Sequence, residues 1–342
     1  MTKRIRLGIL FGGRSGEHEV SLTSAASILK ALDPAKYEVV PIGITRDGRW
    51  QVGAALRLPL RAVSLSNGES RTAADKRLAG VLEHGRLVTP SVSPAGPQLV
   101  PLSAALPARR KQCLEVDVIF PVLHGTFGED GTVQGLLELA GIPYVGAGVL
   151  GSAAGMDKDV MKRLFRDAGL RVAKWVAVLR GDWSADPARA QLRVDKEIGY
   201  PLFVKPANLG SSVGISRVRR AEELAPAMDL AAQYDRKILV EKAVEGAREI
   251  ECAVLGNDQP EASVPGEVVP VNEFYDYEAK YLKEGSELII PARLTWRQTR
   301  RVREFSIRAF RAIDGAGMAR VDFLLSRKTT KLYVNEINTI PG

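Results

Sequence analysis

The first 45 residues restrict the fold more than any other stretch of the chain. Residues 5–13, IRLGILFGG, form an apolar run ending in two glycines, which is typical of a buried strand followed by a tight turn. Residues 15–32 show helical patterning, and residues 37–45, YEVVPIGIT, predict a second strand. A strand, a helix and a strand in this order predict two parallel strands in one sheet. The chain therefore begins with an α/β domain.

The remainder of the N-terminal part continues this pattern unevenly. Residues 116–124, VDVIFPVLH, predict another buried strand of the parallel type, and the helix TVQGLLELAG that follows ends at Gly141. Residues 50–112 are rich in Pro, Ala, Ser and Arg, and we expect only short strands and loops there.

A second unit is predicted to begin near Gly146. Its first helix, MDKDVMKRLFRDAG, places Val160, Leu164 and Ala168 on one side, which predicts that this side is buried. Strands are predicted at WVAVL, YPLFVK, VGISRV and KILVEK, with a helix at EELAPAMDLAAQY. REIECAVLG opens a third unit that contains an arginine-rich helix and a closing hairpin.

The positive charge of the chain raises the question of a nucleic-acid partner. The net charge of +8 could indicate a nucleic-acid partner, but the basic runs at 108–113 and 217–220 lack interleaved aromatic residues. In the arginine-rich helix, Val302, Phe305, Ala309 and Ile313 form one stripe, so the arginines around it are interpreted as a solvated face. A polyanion partner remains the less favoured alternative.

The chain shows neither a membrane span nor a cysteine motif. No apolar run approaches the ~18 residues that a spanning helix needs. Cys113 and Cys252 lie far apart without metal-ligand or C-x-x-C spacing. We therefore expect reduced thiols in a cytoplasmic protein that does not associate with a membrane.

A lysine and a glycine-rich loop predict a phosphate site within FVKPANLGSSVGIS. Lys205 ends a short apolar strand, where a buried ammonium requires an anionic partner. Gly210 and Gly214 allow backbone N–H groups to approach a ligand closely, and Ser211 and Ser212 add hydroxyl donors. An ordinary exposed turn beside a lysine is the alternative.

Lys158 gives a second indication of an anion. It lies in the first turn of a predicted helix, where the positive end of the helix dipole disfavours a cation. A phosphate bound at that end would explain its position. Asp157 and Asp159 could instead compensate its charge within the chain itself.

The closing hairpin predicts a metal site. MARVDFLL and KLYVNEIN flank the polar turn SRKTT, and a turn centred near Thr329 places Asp322 opposite Glu336 and puts Leu324 and Val334 on one face. Opposed carboxylates repel each other unless a cation lies between them. Asn338 supplies a third oxygen on that face, and a small set of oxygen ligands suits Mg²⁺. Two solvated carboxylates at a strand end are the alternative.

Two N-terminal loops predict an amino-acid pocket. GILFGGRSGEHEVS does not match the dinucleotide fingerprint G-x-G-x-x-G, because Phe11 occupies the first glycine position. Its turn presents Glu17 at the carboxyl edge of the sheet, and HGTFGEDGT presents His124 and a helix N-terminus at the same edge. Glu17 suits an ammonium and the helix N-terminus suits a carboxylate. Either motif alone would more often be structural.

The order of these motifs resembles the D-alanine–D-alanine ligase family across the whole chain except residues ~50–112. The motifs are GGRSGEHEVSLTS, LHGTFGEDGTVQG, YVGAGVLGSAAGMDK, FVKPANLGSSVG, AREIECAVLGN, FYDYEAKYL, ARVDFLL and NEINTIPG. The resemblance implies an α/β and α+β architecture, in which an N-terminal parallel-sheet domain at 1–146 precedes the two lobes of an ATP-grasp fold. These lobes would span 147–242 and 243–342 and hold ATP between them.

The resemblance also implies roles for individual residues in ATP and metal binding. Lys158, Lys205, Ser211 and Ser212 would bind the ATP phosphates, Lys280 the transferred phosphate, Glu241, Lys242 and Val244 the region of the adenine, and Glu249 the ribose. Asp322, Glu336 and Asn338 would hold Mg²⁺ or Mn²⁺. The spacing from Glu241 to Glu249 is one residue longer than in some members of the family, which weakens the ribose assignment.

For the amino acid, the resemblance implies that Glu17 holds the ammonium of the first D-alanine and that His124 positions this substrate. Arg320 would stabilise the developing oxyanion. Glu17, Ser211 and Tyr281 would form a hydrogen-bonded group, and residues 270–290 would act as a lid. In the family, a segment beyond the position of Gly342 contacts the second substrate.

The reaction implied is the joining of two D-alanines, driven by ATP through an acyl phosphate, for peptidoglycan precursors. The resemblance also implies a cytoplasmic homodimer. The alternative enzyme is another ATP-grasp amino-acid ligase, such as one that forms D-alanyl-D-lactate. A non-catalytic protein that binds ATP or nucleic acid is a third possibility, and Phe11 disfavours a dehydrogenase.

Overall fold

The computed structural model describes residues 3–53, 78–91, 98–102, 114–210, 213–269 and 287–341. The chain divides into two compact units, residues 1–149 with 340–342 and residues 150–339. The three-domain division with boundaries at 146 and 242 stays a prediction.

The N-terminal unit is built on a seven-stranded sheet with the order β6-β5-β4-β3-β2-β1-β7. β1 pairs in parallel with both β2 and β7, as the sequence predicts, and the other pairings are antiparallel. The elements are β1 (Ile5–Gly12), α1 (His18–Ala31), β2 (Tyr37–Ile44), β3 (Trp50–Val52), α2 (78–84), β4 (Arg86–Pro90), β5 (Gln98–Pro101), β6 (Leu114–Glu115), β7 (Val118–Val122) and α3 (Thr132–Leu139).

Strand β1 is buried on both faces, which explains its continuous apolar run. Ile9 and Phe11 pack in a core that includes Leu29 of α1. Leu10, which points to the other face, packs in a core that includes Leu137 of α3. Parallel sheets covered by helices on both faces require such strands.

The second unit contains two antiparallel sheets. The four-stranded sheet has the order β10-β9-β11-β8. The elements of this part are α4 (Val149–Met156), whose first residue belongs to the N-terminal unit, α5 (Lys158–Asp167), β8 (Trp175–Leu179), α6 (Arg180–Ala185), α7 (Pro187–Glu197), β9 (Leu202–Pro206), β10 (Ser216–Val218), α8 (Leu224–Tyr234) and β11 (Lys237–Lys242).

The six-stranded sheet has the order β15-β14-β12-β16-β17, and β13 pairs with β12 at its side. Its elements are β12 (Ala247–Leu255), β13 (Glu261–Ala262), β14 (Gly266–Val269), β15 (Glu287–Ile289), α9 (Trp296–Ala312), β16 (Met318–Ser326) and β17 (Leu332–Asn338). Each of the two sheets has its own apolar core. Helix α5 contributes Met161 and Phe165 to the core of the six-stranded sheet.

The predicted buried side of α5 is wrong. Val160 is exposed, and Leu164 and Ala168 are only partly buried. The buried side instead carries Met161, Phe165 and the fully buried Lys162. The predicted stripe does not include Lys162, a residue type that is rarely buried without a partner.

The interpretation of the arginine-rich helix α9 is largely confirmed. Val302, Ala309 and Ile313 are buried, whereas Phe305 is partly buried beneath two arginine side chains, those of Arg301 and Arg308. Phe310 adds a fully buried ring outside the predicted stripe.

Two other predictions concern cysteine and membrane spans. Cys252 is a free, buried thiol on β12, and Cys113 lies outside the described residues. Among the residues that the structure describes, no helix has the length and apolarity needed to cross a membrane.

Candidate active site

Glu17 and His124 lie at the carboxyl edge of the parallel strands in the N-terminal unit. Glu17 directly precedes α1, His124 follows β7, and both residues are buried. Ser15 joins the two loops, because its hydroxyl donates to the carbonyl oxygen of His124 at 2.6 Å and accepts from the amide of Glu17 at 3.2 Å. The two loops are therefore fixed to each other at this edge.

The glycine after His124 allows the close approach of Glu17. Gly125 has a φ of 74°, and a Cβ atom there would overlap Oε2 of Glu17. The amide of Gly125 donates to Oε2 of Glu129 at 2.8 Å, and Oε1 of Glu129 accepts from the amide of Ile340 at 3.2 Å. The last residues of the chain thus contribute to this edge.

The imidazole of His124 is held from both ring nitrogens. Nδ1 lies 3.0 Å from the carbonyl oxygen of Ile340, which can only accept, so we assign the ring proton to Nδ1. Nε2 lies 3.0 Å from the hydroxyl of Ser24, which can donate to the neutral ring. This arrangement fixes both the tautomer and the orientation of the imidazole.

At the helix N-terminus predicted to receive a substrate carboxylate, Asp130 accepts from one amide of the helix and from one amide of the preceding loop. Oδ1 of Asp130 accepts from the amide of Thr132, the first residue of α3, at 3.0 Å. Its Oδ2 accepts from the amide of Phe127 at 2.8 Å. Binding of a substrate carboxylate at this helix N-terminus stays a prediction.

In the second unit, a cleft of about 380 Å³ gathers most of the predicted nucleotide and metal residues. The predicted residues that line it are Lys158, Lys205, Glu241, Lys242, Val244, Glu249, Asp322 and Glu336. Strands β9 and β11 supply one wall, and β12, β16 and β17 supply much of the rest. Ser211, Ser212, Lys280 and Tyr281 lie outside the described residues, as does most of the predicted lid at 270–290.

Lys205 meets an anion from its own chain. Its Nζ contacts Oε2 of the buried Glu241, and Oε1 of Glu241 accepts from Nζ of Lys162 at 2.7 Å. Burial alone would raise the pKa of Glu241, but the two ammonium groups outweigh it and lower that pKa below its ordinary value. Glu241 is therefore an ionised carboxylate held between two lysines.

Lys158 and Lys242 place further cations along the cleft. Nζ of Lys158 donates at 2.6 Å to the carbonyl oxygen of Leu209, in the glycine-rich loop. Nζ of Lys242 donates at 2.6 Å to the carbonyl oxygen of Tyr200. Asp157 caps α5 by accepting from two amides of its first turn, and its Oδ2 accepts from Nζ of Lys237 at 2.7 Å.

The closing hairpin has the predicted pairing at the site and a different register near the turn. Asp322 pairs with Glu336, as predicted. Beyond this pair, Leu324 lies opposite Tyr333 instead of the predicted Val334, because a β-bulge shifts the register between Asp322 and Phe323. The bulge adds one residue, Asn335, to the second strand.

Arg320 neutralises Asp322 directly. Nε of Arg320 lies 2.7 Å from Oδ1 of Asp322, and its terminal nitrogen lies 2.7 Å from Oδ2. Burial would lower the pKa of Arg320, but Asp322 and Glu251 raise it well above its ordinary value. The amide of Asn338 donates to Oδ2 of Asp322 at 3.0 Å. Arg320 thus lies beside the predicted metal ligands.

The sequence analysis missed Lys162, whose side chain is completely buried. The available signal was its spacing of four residues from Lys158, which places both lysines on one side of α5, together with the apolar Met161 and Phe165. This pattern predicts either two solvated lysines or two lysines directed at anions.

Comparison with known proteins identifies the family of this chain. The family model described as "D-ala D-ala ligase N-terminus" matches residues 6–147, and the one described as "D-ala D-ala ligase C-terminus" matches residues 164–342. A D-alanine–D-alanine ligase from Natranaerobius thermophilus is 48% identical over 340 residues, which are 99% of this chain and 87% of that protein. One from Bacillus cytotoxicus is 48% identical over 342 residues, 100% of this chain and 88% of that protein.

Solved structures agree with these sequence matches. The VanG D-Ala:D-Ser ligase from Enterococcus faecalis has a TM-score of 0.81 and 34% identity, covering 99% of this chain and 91% of its own. The D-alanine–D-alanine ligase from Coxiella burnetii has a TM-score of 0.80 and 35% identity, covering 100% of this chain and 86% of its own. The mixed α/β architecture is that of the ATP-grasp ligases. The chain belongs to the D-alanine–D-alanine ligase family.

Proposed function

We propose that this protein uses ATP to join two D-alanines into D-alanyl-D-alanine for peptidoglycan precursors. The observation that carries this proposal is the cleft in which Lys158, Lys205 and Glu241 lie with the opposed carboxylates of Asp322 and Glu336. Similarity to D-alanine–D-alanine ligases over the full chain supplies the substrate class.

Nucleotide binding is assigned to the cleft of the second unit, with residues from β9, β11, β12 and the start of α5. Lys158 and Lys205 would contact the ATP phosphates, with Ser211, Ser212 and Lys280 completing the set. Glu241, Lys242 and Val244 would lie beside the adenine, and Glu249 would bind the ribose. Support comes from the position of the described members along one cleft. Charge stabilisation of this kind is the main requirement of phosphoryl transfer.

The metal assignment rests on the donor set at the hairpin. Asp322, Glu336 and Asn338 offer oxygen atoms from paired positions on two strands, a set that fits Mg²⁺ or Mn²⁺ shared with phosphates. Bound there, the ion would neutralise charge on the transferred phosphoryl group. The proposed set combines two carboxylates with the amide oxygen of Asn338, and within the described part of the chain no group of three or more His, Cys, Asp or Glu side chains could hold a metal.

The amino-acid site is assigned to the loop edge of the N-terminal unit. Glu17 would bind the ammonium of the first D-alanine, and the fixed imidazole of His124 would position this substrate. The substrate carboxylate then attacks the γ-phosphorus of ATP, and ADP leaves with the electrons of the broken P–O bond. The amine of the second D-alanine attacks the acyl carbon, phosphate leaves, and Arg320 stabilises the oxyanion between these steps.

The second substrate is the point on which relatives differ. The VanG structure is titled a D-Ala:D-Ser ligase, and ligases that form D-alanyl-D-lactate are the alternative for this chain. We propose D-alanine, with Tyr281 of the predicted lid selecting it through a hydrogen-bonded group with Ser211 and Glu17. Tyr281→Phe should increase the share of D-alanyl-D-lactate formed from mixed acceptors, and an unchanged share would exclude this role.

The direct test is phosphate release from ATP and Mg²⁺ with one amino acid supplied at a time. We expect release with D-alanine and formation of D-alanyl-D-alanine, detected by mass spectrometry, but no release with L-alanine. A preference for D-serine or D-lactate as the second substrate would replace the proposed product. Binding of ATP without release under any of these conditions would favour the non-catalytic alternative.

Oligomeric state and cellular location are proposed from the family alone. A cytoplasmic homodimer without a nucleic-acid partner is consistent with enzymes that consume ATP and free amino acids. Sedimentation of the purified chain tests the dimer. Salt-dependent binding to a random duplex tests the nucleic-acid alternative, since phosphate contacts weaken steeply with salt.

A further inference from the structure

We infer that Lys162 is a buried positioning residue whose charge neutralises Glu241, so that the charge of Lys205 remains available to the phosphates of ATP. This inference rests on the proposed assignment of Lys205 to those phosphates. Lys162 does not line the cleft among the described residues, and the geometry assigns it an effect that acts through Glu241.

The first observation is the position of Lys162. Its side chain has no exposed surface, and it lies on α5 beside Met161 and Phe165, which pack in the core of the six-stranded sheet. A buried ammonium is strongly disfavoured without good partners. Nζ donates to Oε1 of Glu241 at 2.7 Å and to the backbone oxygen of Asn335 at 3.1 Å. Both contacts fix it behind the wall of the cleft.

The second observation is the balance of charge within the three side chains. Glu241 carries one negative charge and touches two lysines, one on each carboxylate oxygen. Lys162 and Lys205 together carry two positive charges. With both ammonium groups protonated, the three side chains carry a net charge of +1, and Lys205 is the one of the two lysines that lines the cleft. Burial lowers the pKa of Lys162 below its ordinary value, and the neighbouring Glu241 opposes this effect.

Removal of Lys162 would change what Lys205 can offer to a ligand. Glu241 and Lys205 would then form a neutral pair, and a phosphate approaching Lys205 would also meet the uncompensated field of the carboxylate. Coulomb interactions at these distances are large in a partly buried site. If Lys162 served only to hold α5 in place, its removal would lower the stability of the fold and would weaken binding of ATP and of adenosine to the same extent.

The experiment measures binding of ATP and of adenosine by titration calorimetry, with Mg²⁺ present and D-alanine absent. Adenosine is the uncharged probe, so the ratio of the two affinities isolates the part of binding that depends on the phosphates. The variants are Lys162→Met, Glu241→Gln, the double variant Lys162→Met with Glu241→Gln, and Lys205→Met. Lys196→Met, at an exposed position of α7, controls for the loss of a lysine elsewhere.

The ratio should follow the net charge of the three side chains. We expect it to fall about tenfold or more in Lys162→Met and to rise in Glu241→Gln. In the double variant, where one positive charge is restored, it should return to within about threefold of the wild-type value. Lys196→Met should leave the ratio unchanged. The decisive result is the opposite sign of the two single variants, a fall in Lys162→Met and a rise in Glu241→Gln, because the loss of a structural contact would not raise the affinity for ATP relative to adenosine.

Each contrary result has a separate meaning. If Lys205→Met binds ATP as well as the wild type does, the phosphate assignment is wrong and this inference fails with it. If Lys205→Met lowers the ratio but Lys162→Met does not, or if the double variant is no better than Lys162→Met, the role of Lys162 is structural only. Should Lys162→Met not fold, a fall of the ratio in Glu241→Gln would overturn the inference.

Discussion

Different interactions stabilise the loop edge of the N-terminal unit and the cleft of the second unit, each within itself. At the loop edge, His124 is fixed largely by a backbone carbonyl and hydroxyls, and Glu129 binds two backbone amides. In the cleft, Glu241 lies between two lysines and Asp322 is paired with Arg320.

The difference separates two kinds of preorganisation. Hydrogen bonds to the backbone fix geometry without adding charge, which suits a small zwitterion that must be held in one orientation. Ion pairs hold charges close to a site and allow them to be shared with an incoming ligand, which suits a polyphosphate. The same substitution, acid to amide, should therefore have different consequences in the two regions.

The largest expected effect lies in the cleft. Asp322→Asn or Glu336→Gln should lower the rate of ATP turnover by about 10²–10³, because each removes an electrostatic element used in the transition state. The measurement is kcat for phosphate release, with circular dichroism to confirm the fold. Glu197→Gln, an exposed carboxylate on α7, is the control. Turnover at the wild-type rate in both variants would remove the metal assignment.

The same change at the loop edge should act on affinity for the amino acid. Glu17→Gln should raise the KM of the first D-alanine by about ten- to a hundredfold, because a charge-assisted hydrogen bond contributes about 1.5–3 kcal/mol. The affinity for ATP should be preserved. Glu19→Gln is a closely matched control, since Glu19 is exposed and pairs with Arg46 at 2.7 Å. Equal effects in Glu17→Gln and Glu19→Gln would contradict the assignment.

A glycine substitution tests whether geometry alone governs the loop edge. Gly125→Ala should destabilise the fold by about 1–3 kcal/mol through its positive φ and should also raise the KM of D-alanine by displacing Glu17. Gly141→Ala carries the strain without the overlap, because its φ is 62° and a Cβ there would have no neighbour within 4 Å among the described residues. Thermal unfolding and KM for both variants separate strain from displacement.

The smallest expected effect concerns an ion pair away from both sites. Asp117 accepts from the backbone and side chain of Arg6, and these hydrogen bonds lower the pKa of Asp117 from 3.8 to about 2. A lowered pKa in the folded state gives stability that is present above pH 4 and lost as the pH falls towards 2. After allowance for exposure, the contribution is about 1 kcal/mol.

The variant Asp117→Asn should therefore lose about 1 kcal/mol at neutral pH and differ less from the wild type near pH 2. The measurement is urea unfolding at several pH values. A difference that stays constant across this range would show that the carboxylate contributes by packing alone.

The sequence predicted those features that depend on local patterns. The parallel pairing of β1 follows from apolar runs separated by a helix, and the Asp322–Glu336 pairing follows from alternation along two strands. Motif order identified the family even though no single motif would have been specific enough.

Features that depend on long-range compensation could not be predicted. Lys162 is buried only because Glu241, which lies 79 positions later in the chain, neutralises it. Nothing local in the sequence marks Lys162 as a core residue, because a lysine without a partner is rarely buried. The bulge at Asn335 could not be predicted either, since no turn or glycine signal marks it in the sequence.

The bulge has a consequence for how this hairpin can vary. It divides the hairpin into a site half, where Asp322 meets Glu336, and a turn half, where Leu325 meets Leu332 in a shifted register. The site half is also anchored by the contact from Lys162 to Asn335. We expect a one-residue insertion or deletion in the turn 326–331 to be accommodated first at the bulge, where the pairing is already irregular. Such a change would then leave the pairing of Asp322 with Glu336 in place.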